Sequence, residues 1–193
     1  MHHAHKQLRA LVEQGYSPVV IGQRGHVEVR GLVGDHPTAV VVEEAADIAA
    51  LPQNELKFGV VAQTTQPLGK VAGIVDALRI ARPNAEVKFC DTICQPTKNR
   101  QNALRKLLTE CDLIVVVGGY SSNNTRQLVE AARKASRRAI HIERPEDLRS
   151  EWLEDVENVG LTAGTSTLRE TVSAVHARLV ELASVRCAAS PSE

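Results

Sequence analysis

The chain has 193 residues, with 23 basic and 23 acidic side chains and an aromatic fraction of only 3%. This length suits one large α/β domain or two small ones. The balanced charge offers no footprint for nucleic acid or an anionic membrane, since either partner would require clustered positive charge. No apolar run approaches the ~20 residues of a membrane span, and the first residues have no apolar signal segment. We therefore expect a soluble, cytoplasmic protein.

Short β-branched runs alternate with helix-like stretches along the chain. Strands are predicted at residues 17–21, 40–42, 58–62, 86–89, 112–117, 139–142 and 159–161. Helices are predicted at residues 5–14, 43–50, 70–81, 96–110, 125–135, 145–152 and 168–182. Such alternation indicates βαβ units and parallel sheets. The predicted fold class is α/β, with two small parallel-sheet lobes at residues 1–90 and 91–184 and a disordered tail at 185–193.

Four cysteines in a chain without secretory features argue against a disulfide scaffold. Cys90 and Cys94 have a C-x₃-C spacing, which is a weak metal signature. Cys111 opens a predicted buried strand, where a free cysteine behaves as a small apolar residue. Cys187 falls in the Ser/Ala-rich tail. Only Cys94 lies in a turn where chemistry is expected.

One loop design recurs where predicted strands end. An apolar run leads into a turn rich in Ser, Thr, Asn and Gly, and a helix-like stretch follows; the copies are residues 58–68, 113–125 and 159–167. Residues 91–101 repeat the design with a cysteine in the turn. The free N–H groups and the positive dipole end of each helix suit an anion such as phosphate. Because ligands bind beyond the carboxyl ends of parallel strands, we expect a shared anionic ligand at these loops.

The turn at residues 118–125 is the strongest candidate for anion binding. Two glycines precede a run of polar side chains, and a helix cap needs only one such side chain. Glycines let a ligand approach the backbone, while hydroxyls and amides can donate to phosphate oxygens. Residues 162–167 form a weaker version of this pattern. At Thr64 and Thr65, propensity alone favours helix capping over binding.

Three further side chains could carry chemistry. His26 and Glu28 lie between Gly25 and Gly31 at a predicted strand-to-loop junction, where positions i and i+2 share a strand face. A histidine can bind phosphate and a carboxylate can relay protons, but the spacing alone favours two solvated surface residues. Cys94 lies at a strand-to-helix turn, which favours the thiolate. A nucleophile, a redox thiol and a metal ligand all remain open for this cysteine.

Several motifs stand in one order along nearly the whole chain. They are Gly25-His-x-Glu-Val-x-Gly31, Gln63-Thr-Thr65, Asp91-Thr-Ile-Cys94 with Thr97-x-Asn-Arg-Gln101, Gly118-Gly-Tyr-x-Ser-x-Asn-Thr125 and Gly160-x-Thr-Ala-Gly-x-Ser166. Together they resemble the LytB family, the 4-hydroxy-3-methylbut-2-enyl diphosphate reductases of the non-mevalonate isoprenoid pathway. The resemblance implies three α/β lobes around a [4Fe-4S] cluster held by three cysteines. The implied reaction removes the substrate's hydroxyl reductively and gives isopentenyl and dimethylallyl diphosphates, with ferredoxin or flavodoxin as electron donor.

The resemblance also implies a role for individual residues. Cys94 matches a cluster-ligating cysteine, and Glu28 matches the acid that gives a proton to the leaving hydroxyl. Thr64 would hold that hydroxyl or its water, and His26 would bind diphosphate. The other implied diphosphate-binding positions are Ser122, Asn123, Asn124 and Ser166. Asn123 departs from the serine usual in the family, and Leu168 departs from a common proline.

The motifs of the family's first lobe have no match in the sequence. That lobe carries two cluster cysteines and two further substrate-contacting histidines. Because one thiolate cannot hold a cluster that the family anchors with three, we expect a truncated reductase that is inactive alone. Cys90 is a poor substitute because it belongs to the preceding strand. The alternatives are a non-catalytic diphosphate-binding module and one half of a split enzyme, and the retained Glu28 and Cys94 favour truncation or splitting over the binding module.

Overall fold

The computed structural model describes residues 2–135 and 137–189, which form two compact units. Unit 1 is Met1–Gln95 and unit 2 is Pro96–Glu193. The division falls five residues after the predicted lobe boundary at 90/91, and the turn with Cys94 thus lies in unit 1 rather than in the second lobe. The reason is local, because the Cys94 N–H donates to the Thr64 carbonyl oxygen of unit 1 at 3.0 Å. No helix in the described part of the chain is long and apolar enough to cross a membrane.

Unit 1 is built on a four-stranded parallel sheet in the order β2-β1-β3-β4. Its elements are α1 (His2–Glu13), β1 (Ser17–Ile21), α2 (Val27–Asp35), β2 (Val40–Val42), a 3₁₀ helix (Ala45–Ala50), β3 (Lys57–Ala62), α3 (Leu68–Ala81) and β4 (Glu86–Cys90). Helices cover both faces of this sheet, so its central strand β3 is apolar on both sides. All four strands end at one edge, where the loops with the candidate residues follow.

Unit 2 repeats this plan on a three-stranded parallel sheet in the order β6-β5-β7. Its elements are α4 (Gln95–Glu110), β5 (Leu113–Val117), α5 (Asn123–Lys134), β6 (Arg138–Ile142), 3₁₀ helices at Pro145–Asp147 and Ser150–Leu153, β7 (Val159–Ala163) and α6 (Arg169–Ala189). Every residue of β5 is buried, as its run of five apolar side chains predicts.

The structure corrects four details of the predicted elements. Residues 27–35, expected to be a loop, form α2, because Val29 and Leu32 lie on one helical face and are buried. The glycines at 31 and 34 hid this helix in the sequence. The predicted helices at 43–50 and 145–152 are 3₁₀ turns. In the predicted disordered tail, residues 185–189 continue α6, and residues 190–193 lie outside the described residues.

The same hydrogen bonds close the first strand of each unit. In unit 1 the Gly22 N–H donates to the Val42 carbonyl oxygen at 3.2 Å, and in unit 2 the Gly118 N–H donates to that of Ile142 at 2.9 Å. The chain then turns into α2 in one unit and into α5 in the other. The two units therefore present equivalent strand-to-helix loops at equivalent sheet edges.

A half-buried aspartate closes the end of the second strand of each unit in the same way. Asp47 accepts hydrogen bonds from the N–H groups of the two residues after β2, at 2.8 and 2.9 Å. Asp147 accepts two at 2.9 Å from the residues after β6. Asp47 also accepts from the Arg24 guanidinium at 2.5 Å. Hydrogen bonds lower the pKa of Asp47 to about 2, the largest effect coming from the Glu44 N–H and the next from the Arg24 guanidinium.

The hydrogen bonds to Asp47 make the free energy of unfolding of unit 1 depend on pH in the acid range. A lowered carboxylate pKa adds stability above the unfolded value of 3.8, and that stability is lost as pH falls through the folded pKa of about 2. Asp47→Asn removes the contribution, so the unfolding free energies of wild type and variant should differ at pH 6 and converge between about pH 4 and pH 2. Urea unfolding across this pH range measures the difference. A constant difference at all pH values would contradict the assignment.

Candidate active site

A buried carboxylate and a hydroxyl meet at the end of β3 in unit 1. Glu28, in the first turn of α2, is only 3% exposed. The Thr64 hydroxyl donates to Glu28 Oε2 at 2.9 Å, and the Thr64 N–H lies 3.3 and 3.2 Å from the two carboxylate oxygens. A buried carboxyl group held beside a hydroxyl can exchange a proton with a bound group at that position.

His26 is the N-cap of α2, so it does not lie on the strand that its i, i+2 spacing suggested. Its Nδ1 accepts the Glu28 N–H at 3.2 Å. Nδ1 therefore carries no proton in this arrangement, and the proton of the neutral ring is assigned to Nε2. The half-buried ring thus presents an N–H donor beside the positive end of a helix, where an acceptor anion is favoured.

Cys94 is linked by its backbone to the same pair. Its N–H donates to the Thr64 carbonyl oxygen at 3.0 Å, and the half-buried residue immediately precedes α4. The buried Thr92 hydroxyl accepts the Ala62 N–H at 2.9 Å and donates to the Ala62 carbonyl oxygen, which closes the end of β3. Unit 1 thus connects Glu28, Thr64 and Cys94 within one hydrogen-bonded loop system.

Gln63 fixes the loop that carries Thr64, a role that the sequence did not reveal. Its side chain is fully buried. Gln63 Oε1 accepts from the Gln23 N–H and from Gln66 Nε2, both at 3.0 Å, and Gln63 Nε2 donates to Thr65 Oγ1 at 3.0 Å. Its place in the Gln63-Thr-Thr65 motif was the only signal, because a sequence does not show that an amide is buried between two loops.

Thr64 and Thr65 do not cap a helix, whereas Cys90 lies in a strand as predicted. The prediction that Thr64 and Thr65 cap a helix is wrong, because α3 begins at Leu68 with Pro67 as its N-cap and Thr64 bonds Glu28 instead. The prediction that Cys90 belongs to a strand is confirmed. Cys90 ends β4 and packs against the core around α1 and α2.

In unit 2 the start of α5, which is equivalent to the start of α2, carries a buried donor that is unpaired among the described residues. Ser122 is the N-cap of α5, and its hydroxyl accepts the Thr125 N–H at 3.4 Å. Asn124, like Glu28, is the second residue of its helix, and it is 4% exposed. Its buried Nδ2 has no hydrogen-bond partner among the residues that the structure describes. Because a buried unpaired donor is costly, this amide points to a ligand with acceptor oxygens.

Close packing holds α5 against the strand ends. Gly118 has a φ of 149°, and a Cβ there would lie 2.6 Å from Thr125 Oγ1. A Cβ on Gly164 would lie 2.2 Å from the same oxygen. The Thr167 hydroxyl donates to the Val117 carbonyl oxygen at 3.0 Å and ties the last loop to β5. Glycine is therefore required at both positions for α5 to start this close to the sheet.

The remaining predicted binding residues lie in the same two loops of unit 2. Asn123 is half-buried at the first residue of α5, and Ser166 is exposed in the loop between β7 and α6. Leu168, which stands where the family often has proline, is 69% exposed just before α6. Ligand contacts for Asn123 and Ser166 stay predictions.

The described residues do not by themselves make a metal centre. Within residues 2–135 and 137–189, no group of three or more His, Cys, Asp or Glu side chains is placed to hold a metal ion. Cys94 offers one thiolate, whereas the predicted cluster requires three cysteines. These residues alone therefore do not fit the complete cluster site.

A family model described as LytB protein matches residues 1–180. The 4-hydroxy-3-methylbut-2-enyl diphosphate reductase of Syntrophotalea carbinolica is 37% identical over 174 residues, which cover 89% of this chain and 61% of that protein. A Mycobacterium bovis protein named 4-hydroxy-3-methylbut-2-enyl diphosphate reductase 2 is 37% identical over 164 residues, covering 84% of this chain and 50% of the relative. The chain thus spans half to about three fifths of the length of these relatives.

Two solved structures resemble the chain. The E-1-hydroxy-2-methyl-but-2-enyl-4-diphosphate reductase from Plasmodium falciparum matches with a TM-score of 0.83 and 32% identity, covering 94% of this chain and 56% of that one. A structure of (E)-4-hydroxy-3-methyl-but-2-enyl diphosphate reductase, the terminal enzyme of the non-mevalonate pathway, matches with a TM-score of 0.58 and 33% identity, covering 93% and 64%. These likenesses confirm the predicted fold class of two parallel-sheet α/β lobes.

The close approach of α5 to the sheet can be tested by adding a single methyl group at Gly164. Gly164→Ala should lower the free energy of unfolding by about 1–3 kcal/mol, because the new Cβ collides with the buried Thr125 Oγ1 and a packed core resists extra volume. Urea unfolding followed by circular dichroism measures the loss.

Two variants control for this effect. Gly73→Ala in α3 has nothing within 4 Å of the added Cβ and should stabilise the protein by about 1 kcal/mol. Thr125→Ala in the Gly164→Ala background removes the colliding oxygen and should restore most of the lost stability. A Gly164→Ala variant as stable as wild type would contradict the close packing.

Proposed function

The chain belongs to the LytB family, and on that premise we propose that it forms the diphosphate-binding and proton-delivering part of a 4-hydroxy-3-methylbut-2-enyl diphosphate reductase. The reaction would be a reductive dehydroxylation in isoprenoid biosynthesis. The observation that carries the proposal is the buried Glu28–Thr64 pair. A site that only binds diphosphate has no need of a buried carboxyl group, whereas a leaving hydroxyl needs a proton.

Glu28 would give its proton to the substrate's hydroxyl, which then leaves as water. Thr64 supports this role because its hydroxyl lies 2.9 Å from Glu28 Oε2 and can orient the same hydroxyl. Both groups lie in unit 1 beside Cys94, whose thiolate would hold one corner of the cluster. Among the described residues no group of three or more metal-binding side chains forms there, so the catalytic steps that depend on the cluster would require further ligands.

The diphosphate would be bound by donors at helix starts. His26 supplies an Nε2–H at the start of α2, and the unpaired Asn124 amide supplies a donor at the start of α5. The further proposed diphosphate ligands are Ser122, Asn123 and Ser166. Hydroxyl, amide and imidazole donors together suit a doubly charged group that carries many acceptor oxygens.

The electrons would come from a ferredoxin or a flavodoxin, the donors that the family resemblance implies. The whole activity would require sequence beyond these residues, since the relatives are about 1.5 to 1.7 times as long as this chain. A missing N-terminal lobe, joined in one chain or supplied as a separate partner, would complete the cluster site. A second candidate function is a non-catalytic diphosphate-binding module, which is favoured because no group of three or more metal-binding side chains forms among the described residues.

Binding of the diphosphate is tested with inorganic pyrophosphate and the 193-residue chain. Asn124→Ala should weaken binding about tenfold in isothermal titration calorimetry, because it deletes a hydrogen bond to a charged group. Asn102→Ala, at an exposed position of α4, is the matched control and should bind like wild type. Equal affinities for wild type and Asn124→Ala would refute the assignment of this loop.

Catalysis is tested in a fusion of this chain to the part of the Syntrophotalea carbinolica reductase that it does not span. Reduction of 4-hydroxy-3-methylbut-2-enyl diphosphate is measured anaerobically with reduced methyl viologen. Glu28→Gln should lower turnover by a factor of about 10²–10⁴ and leave pyrophosphate affinity unchanged, as expected for loss of a general acid. Glu13→Gln, an exposed change in α1, is the control. An inactive fusion that still binds pyrophosphate would support the binding module instead.

A further inference from the structure

Glu143 holds the middle of the loop that leads into α5. It follows β6 directly, and its Oε1 accepts the Tyr120 N–H at 2.6 Å. A hydrogen bond from a backbone amide to a carboxylate is charge-assisted and stronger than one to a neutral acceptor. The half-buried carboxylate therefore fixes the backbone between Gly118 and Ser122.

The ends of this loop are held by other contacts. Nε2 of His141 lies 2.8 Å from the Gly118 carbonyl oxygen, and the Ser122 N–H donates to the Gly119 carbonyl oxygen at 2.9 Å. The Tyr120 ring lies against the His141 ring, with centroids 4.5 Å apart. Because both ends of the loop are fixed, the hydrogen bond from the Tyr120 N–H to Glu143 sets the orientation of the backbone between them.

Unit 1 has the equivalent contact between a carboxylate and a loop N–H, but there an arginine lies beside the carboxylate. Glu43 Oε2 accepts the Arg24 N–H at 3.3 Å, and the Arg24 guanidinium lies 3.6 Å from that oxygen. Arginine thus offsets the charge of Glu43. In unit 2 the equivalent position is Tyr120, which brings no positive charge to Glu143.

An acidic side chain beside an anion-binding loop is unfavourable for the anion. Like charges a few ångströms apart repel, and this repulsion lowers the affinity for a diphosphate. The hydrogen bond of Glu143 to the loop acts in the opposite direction, since it keeps the loop in one shape. The two effects can be separated because glutamine retains the acceptor oxygen and removes the charge.

We propose that Glu143 is a positioning residue for the loop at residues 118–122 and that its negative charge limits the loop's affinity for diphosphate. This inference rests on the proposed function of Ser122 and Asn124 as diphosphate ligands. A site held in shape by a repelling charge binds its anion in a fixed geometry and still releases it readily.

The test compares Glu143→Gln and Glu143→Ala in pyrophosphate binding by the 193-residue chain. Glu143→Gln should bind about threefold more tightly than wild type at low ionic strength, and the gain should vanish near 0.5 M salt, because screening removes the repulsion. Glu143→Ala should bind about tenfold more weakly than wild type near 0.5 M salt, because the loop loses its anchor, and only about threefold more weakly at low ionic strength, because loss of the charge offsets part of that effect.

Hydrogen exchange shows whether the effect acts through the loop. Exchange of the amides at residues 118–122 should be faster in Glu143→Ala than in Glu143→Gln, and measuring it relative to amides elsewhere in unit 2 removes any effect of lower overall stability. Glu146→Ala, an exposed position in the same segment, removes a charge without touching the loop and is the matched control.

The outcomes separate this inference from the proposed function. If Asn124→Ala weakens binding but Glu143→Ala binds and exchanges like wild type, the positioning role is overturned and the diphosphate site stands. If Glu143→Gln binds no more tightly than wild type at low salt, the role of the charge is overturned. If the wild type binds no pyrophosphate, or if Asn124→Ala binds like wild type, the proposed function fails and this inference fails with it.

Discussion

The hydrogen bonds between Glu28 and Thr64 are the interaction on which the candidate site depends. A carboxylate that is 3% exposed is costly to bury unless its oxygens are bonded, and here both the hydroxyl and the N–H of Thr64 bond it. The bond joins the start of α2 to the loop after β3, and that loop accepts the N–H of Cys94. One satisfied carboxylate therefore sets the relative places of three chemically distinct groups.

The two units share one backbone arrangement but carry side chains of opposite hydrogen-bonding character at equivalent positions. The second residue of the first helix after the opening strand is the acceptor Glu28 in unit 1 and the donor Asn124 in unit 2. The acceptor Glu28 finds its donor inside its own unit, whereas Nδ2 of Asn124 has no partner among the described residues. Equivalent positions thus hold a hydrogen-bonded carboxylate in one unit and a buried amide with an unpaired Nδ2 among the described residues in the other.

The sequence predicted the features that follow from local pattern. The five apolar residues of β5 and the alternation of strands with helices predicted parallel sheets, and the ordered motifs predicted the family that the comparisons then confirmed. Helix α2 was missed because a nine-residue helix with two glycines has a weak periodic signal. The predicted cap at Thr64 was wrong because the buried carboxylate of Glu28, in helix α2, accepts a hydrogen bond from its hydroxyl instead, and such long-range pairing leaves no trace in local propensity.

The unpaired groups at the start of α5 carry a thermodynamic consequence. Among the described residues, Asn124 Nδ2 and Thr125 Oγ1 are buried without a partner, so this helix start is less stable than an apolar sequence of the same shape would be. A ligand that bonds the Asn124 amide binds only the folded state and raises the melting temperature as its concentration rises. Stability and the proposed anion binding oppose each other at this helix start, and replacing Asn124 with an apolar side chain would raise the first and weaken the second.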